Sequence, residues 1–127
     1  VTIAIDSNRY SDLRAGVPEV HELTAKCGKV FIPFPVLGEL HYGFRKGSFR
    51  EKNERLLAEY LSQSFVTVLW ADEQTIDVYA DLKLYLRNKG RPLPENDIWI
   101  AALCVRHGLR LYTRDTHFDQ LPQVMRV

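Results

Sequence analysis

The sequence predicts a single α/β domain over residues 1–127, with a small, mainly parallel sheet of four to five strands flanked by helices. Three observations carry that prediction. Short apolar runs that read as strands alternate with longer stretches of helical periodicity, the order that builds parallel sheets. One helical stretch, PENDIWIAALCVRHG (94–108), is apolar nearly all round, as a helix pressed against a sheet must be. The 127 residues suffice to bury roughly two-thirds of the unfolded surface in one core. Right-handed crossovers would place helices on both faces of the sheet.

The elements follow in order. TIAI (2–5) reads as a first buried strand that runs straight into Asp6. PEVHELTAKCG (18–28) reads as a helix, with Pro18 in its first turn and Gly28 as the stop. VFI (30–32) is a second, short strand. After Pro33 and Pro35, VLGELHYGFRKG (36–47) has apolar residues at helical spacing. FREKNERLLAEYLSQ (49–63) places Leu56, Leu57, Tyr60 and Leu61 on one helical face. FVTVL (65–69) is a third strand. A long helix runs from Asp72 to Gly90, its inner face assigned to Ile76, Tyr79, Leu82 and Leu86. LRLYT (109–113) is a fourth strand, and QVMRV (123–127) is a candidate fifth. There is no internal repeat, low-complexity tract or long linker.

Composition excludes several classes. Hydrophobic residues make up 46% and charged residues 26%, as in ordinary globular proteins, and the net charge of +1 identifies no partner. Cys27 and Cys104 are far apart, with no spacing that suggests zinc, and Cys104 sits in an apolar run as a small core hydrophobe. That run, 98–105, is too short to span a bilayer, and no apolar leader precedes Val1, so the expected location is the cytoplasm.

In an open α/β sheet, ligands bind beyond the carboxyl ends of the strands. Asp6 follows the first strand directly, Glu39 lies in the first turns after the second, and Asp115 comes two residues after Thr113 of the fourth. Asp97 opens the apolar helix that leads into that fourth strand. Each acid alone has a plainer reading: Asp6 or Asn8 as a helix cap, Glu39 as a solvated residue, Asp97 as a complement to the helix dipole, Asp115 as an Asx-turn. Four carboxylates brought together repel one another, and a fold that converges them normally has a cation there. Oxygen-only ligands suggest Mg²⁺ or Mn²⁺. His21, His41, His107 and His117 are scattered and read as structural or surface residues. Asp119 reads as a surface acid.

The set IDSN (5–8), ELHYG (39–43), NDIWIAA (96–102) and TRDTHF (113–118) resembles a PIN-domain ribonuclease, most nearly the VapC-type toxins of bacterial toxin–antitoxin pairs. Single motifs of this set are weak, but four in order across nearly the whole chain are specific. The resemblance implies that Asp6, Glu39, Asp97 and Asp115 form an acidic metal-binding pocket, with Asn8 and Thr113 as polar supports. It implies Mg²⁺- or Mn²⁺-dependent cutting of RNA, a VapB-type antitoxin that blocks the site, and frequent dimerisation. Arg9 departs from the pattern, standing where these toxins commonly carry an apolar residue.

Basic residues cluster at 45–55 and 83–91, and Arg45, Lys46, Arg50, Lys89 and Arg91 are candidates for a rim that holds a phosphate backbone. Tyr42 and Phe44 are candidate partner contacts, while Trp99 reads as core packing. Two other classes compete. A Mg²⁺-dependent phosphatase of the haloacid-dehalogenase kind needs a second Asp where Asn8 stands, and a receiver domain needs a Lys not evident near 113–127. A PIN-like module that binds RNA or protein without cutting would be expected to lose some of the four acids.

Overall fold

The computed structural model describes residues 2–127. Four strands, β1 (Thr2–Ile5), β2 (Lys29–Pro33), β3 (Val66–Leu69) and β4 (Arg110–Tyr112), pair in the order β3-β2-β1-β4, every pairing parallel. Six helices connect them: α1 (Ser7–Arg14), α2 (Pro18–Lys26), α3 (Phe34–Lys46), α4 (Arg50–Leu61), α5 (Glu73–Lys89) and α6 (Glu95–His107). β1 is central, and Ile3, Ala4 and Ile5 are all buried, which explains a continuous apolar run instead of an alternating one. All four strands point the same way, so β1 and β4 deliver the residues that follow them to one carboxyl edge. Ile5 is level with Tyr112, which sets Asp6 beside Thr113.

The helices start and stop for local reasons. Asp6 is the N-cap of α1. α3 begins at Phe34, two residues ahead of the predicted start, because Pro35 falls in its first turn, where a missing N–H costs nothing. α2 closes at Cys27, one residue before Gly28. α5 is opened by a capping box between Asp72 and Thr75 and closed by Gly90 at φ 66°. α6 buries Ile98 and every residue from Ile100 to Cys104.

Two expectations are corrected. Ile76 is exposed; the inward position on that turn of α5 is taken by Thr75, buried with its hydroxyl bonded to the Asp72 carboxylate, ahead of Leu82 and Leu86. Residues 123–127 form no fifth strand, only one parallel bridge between Leu111 and Arg126. The Val124 N–H is spent on the Leu121 carbonyl in a turn, so pairing begins only with the Met125 carbonyl, which accepts from Leu111 N–H at 2.8 Å. Among the described residues, no helix is long and apolar enough to cross a membrane.

Candidate active site

The site grows out of the β1–α1 junction. Asp6 has extended backbone, so its side chain folds over the start of α1, and Oδ1 accepts the Arg9 N–H at 2.9 Å. Oδ2 accepts from the Thr113 hydroxyl at the end of β4. The same Thr113 oxygen accepts the Asp115 N–H at 3.0 Å, and Asp115 Oδ1 accepts the His117 N–H at 2.9 Å. This relay turns the chain after β4 back toward the acids. Asp97, in the first turn of α6, is buried at 8% exposure, and its Oδ2 lies 3.1 Å from His117 Nδ1. That nitrogen is also 3.3 Å from Asp115 Oδ1. Glu39, half-buried on α3, has the Ser7 hydroxyl beside it.

The four carboxylates lie close enough to feel one another's charge. Burial raises the Asp6 pKa most, against the Thr113 and Arg9 hydrogen bonds, and the Asp115 charge raises it further. Burial likewise raises Glu39, followed by the charges of Asp97 and Asp6. Asp97 is raised by burial and then by Asp115, with His117 opposing. Burial also pushes the Cys104 thiol up to about 12, helped by the Asp6 charge. Such a pocket holds its negative charge under strain and gains from a cation. Ligand atoms of Asp97, Asp115 and His117 all lie within 4.8 Å of one another, and Asp6 and Glu39 add charge around them. Carboxylate oxygens dominate this donor set, which fits a hard divalent ion.

All four predicted acids thus meet at the carboxyl edge, with Thr113 bridging two of them. Asn8 does not join them: it is exposed and makes no side-chain hydrogen bond among the described residues. His117, read as peripheral, belongs to the site. Its one signal in the sequence is its place two residues after Asp115, where an Asx-turn folds it back. Asp119 is exposed and paired with Arg126, as expected of a surface acid. Arg9 turns away from the acids, its guanidinium 4.2 Å over the Tyr112 ring and paired with Asp12.

The basic candidates differ in freedom. Arg45 and Arg50 both pair with Glu54, which His41 also contacts. Lys46 lies over the Tyr42 ring and Lys89 over the Tyr85 ring. Arg91 reaches Gln120 at 3.5 Å, on the 3-10 turn Thr116–Gln120 that carries His117. Trp99 stacks on Tyr79 at 4.0 Å, a packing role between α5 and α6. Tyr42 is 64% exposed, whereas Phe44 packs partly against the core.

The PIN domain family model matches residues 5–124, and the chain belongs to that family. Ribonuclease VapC4 of Mycobacterium tuberculosis is 38% identical over 89 residues, 69% of this chain and 68% of that protein. Ribonuclease VapC5 of the same organism is 28% identical over 121 residues, 95% of this chain and 82% of that protein. Within the family, the chain is of the VapC type. Among solved structures, VapBC2 from Rickettsia felis, bound to a DNA fragment from its promoter, has a TM-score of 0.86 at 24% identity, covering 100% of this chain and 98% of that one. VapBC-1 from nontypeable Haemophilus influenzae has a TM-score of 0.88 at 22% identity, covering 100% and 97%. At these identities, the two structures speak for the fold.

Proposed function

We propose that the protein is a Mg²⁺- or Mn²⁺-dependent endoribonuclease, the toxin of a type II toxin–antitoxin pair. It acts in the cytoplasm as a homodimer and is held inactive by a VapB-type antitoxin. The observation that carries this reading is the convergence of Asp6, Glu39, Asp97 and Asp115 on one sheet edge in a chain of VapC type. Relatives named as ribonucleases and neighbours crystallised as VapBC complexes support the activity and the partner.

Asp6, Asp97 and Asp115 would hold the cation. The cation would supply Lewis acidity toward the phosphodiester and an acidified water. Asp6 is prepared for this role by its fixed orientation, since one oxygen is tied to α1 and the other to Thr113. Thr113 keeps Asp6 and Asp115 in register through a single hydroxyl. Glu39, whose pKa is raised by burial, is suited to accept a hydrogen bond and a proton from the attacking water. Hydrolysis then leaves a 3′-hydroxyl and a 5′-phosphate, the outcome that the PIN likeness implies. Arg91, Lys89 and Lys46 are less tied than Arg45 and Arg50 and would attract the backbone of the RNA. A basic side chain of the antitoxin entering the acidic pocket would compete for the same charge.

The test is cleavage of a pool of end-labelled RNAs by antitoxin-free protein with Mg²⁺, Mn²⁺ or EDTA, beside Asp6→Asn and Asp97→Asn. Metal-dependent cutting that both substitutions abolish is expected. Cutting that survives both substitutions or persists in EDTA would sink the proposal.

A further inference from the structure

We propose that His117 is a nitrogen ligand of the pocket's cation, so that the site is a mixed nitrogen–oxygen one that favours Mn²⁺ and Ni²⁺ over Mg²⁺. The inference rests on the metal-dependent reading of the pocket and assigns a ligand beyond its four acids. His117 Nδ1 is 3.1 Å from Asp97 Oδ2 and 3.3 Å from Asp115 Oδ1. Two donors at right angles on an ion with bonds of about 2.1 Å stand ~3.0 Å apart. The imidazole nitrogen is therefore already spaced from both carboxylates as neighbouring ligands of one ion are.

The ring is held in place through a ligand. The backbone N–H of His117 donates to Asp115 Oδ1 at 2.9 Å, so whatever fixes Asp115 also fixes the residue that carries the ring. The side chain is 52% exposed, so its position depends on the two acids and not on packing. Nδ1 could offer its lone pair to an ion with the ring proton on Nε2.

Ligand chemistry supplies the selectivity. Mg²⁺ favours oxygen and retains its waters, whereas imidazole suits transition metals, whose affinity rises from Mn²⁺ to Ni²⁺. Removing the nitrogen should therefore cost the transition metals and spare Mg²⁺.

Binding of Mg²⁺, Mn²⁺ and Ni²⁺ to the full chain would be measured by calorimetry for the wild type, His117→Ala and Asp97→Asn. In parallel, pulsed electron paramagnetic resonance of the Mn²⁺-loaded protein would be read for coupling to an imidazole ¹⁴N. His117→Ala should weaken Mn²⁺ and Ni²⁺ binding roughly 10–100-fold, change Mg²⁺ binding less than about threefold, and lose the nitrogen coupling. Equal weakening of all three ions, or no nitrogen coupling in the wild type, would overturn the assignment. If Asp97→Asn abolishes binding while His117→Ala changes nothing, the acidic pocket stands and the histidine ligand falls. If the wild type binds none of the three ions, both readings fall together.

Discussion

Asp6 does two jobs with one carboxylate. Oδ1 caps α1, and Oδ2 is tethered across the sheet edge to Thr113. Helix cap and site acid competed as readings of the sequence, and the geometry makes them compatible because the two oxygens point to different partners. Thr113→Val removes the hydroxyl that Asp6 and the Asp115 N–H both use, and should cost about 1–3 kcal/mol in urea unfolding. Cleavage should fall along with stability; unchanged stability would mean that the hydroxyl links nothing. Asp97 carries the opposite sign. Its folded pKa is raised above 3.8 by burial and by Asp115, so the protonated form is favoured by folding and that stabilisation is lost as pH rises through the folded pKa. In EDTA, Asp97→Asn should therefore be more stable than the wild type at neutral pH, by on the order of 1 kcal/mol. The gap should close toward about pH 4. Thermal unfolding of both proteins across that range checks this, and a gap that does not change with pH would show that Asp97 ionises freely. Asp6, Glu39 and Asp115 could be found from their places after strands, and Asp97 from its place at the start of the apolar helix. His117 offered only its place after a possible Asx-turn at Asp115, and that spacing does not say that the turn sets its ring against Asp97.

At the scale of elements, α5 shows where helical periodicity misleads. Ile76, Leu82 and Leu86 fall on spacings that one face of a long helix could accommodate, but the capping box at Asp72 and Thr75 sets which side of the first turn looks inward. Thr75 is buried there because its hydroxyl is satisfied locally, and Ile76 is left 53% exposed. Leu82→Ala should accordingly cost about 2–5 kcal/mol, the usual range for a buried leucine. Ile76→Ala should stay within about 0.5 kcal/mol. Chemical denaturation of the two variants distinguishes the structural face from the one that spacing alone suggests, and equal losses would return Ile76 to the core. The candidate strand at 123–127 failed for a related reason. Its composition suits a strand, but strand pairing is decided by which N–H groups remain free, and the turn at Leu121–Val124 takes one of them. Local hydrogen-bond competition of this kind leaves little trace in a sequence read for hydrophobicity.

The whole molecule sets a negative pocket within a nearly neutral chain, net charge +1. The α/β class and the parallel sheet were legible because alternation of strand and helix is a long-range pattern that local turns do not disturb. The working balance among the basic residues was not, since Arg45 and Arg50 look as free in sequence as Arg91 yet share Glu54. That difference predicts how RNA binding responds to salt. For Asp97→Asn, which is expected not to cleave, the logarithm of affinity should fall linearly with the logarithm of salt, at about −0.7 per phosphate neutralised on a single strand. Arg91→Ala should weaken binding and make the slope shallower by about 0.7, as removal of one full phosphate contact does. Arg45→Ala should change the slope by much less, because Glu54 already screens that charge and would be left with Arg50 and His41. Filter binding of one labelled RNA across a salt series measures all three slopes. Equal changes for Arg45 and Arg91 would mean that RNA displaces Glu54 from its partners, and the rim would then extend along α3 instead of centring on the turn that carries His117.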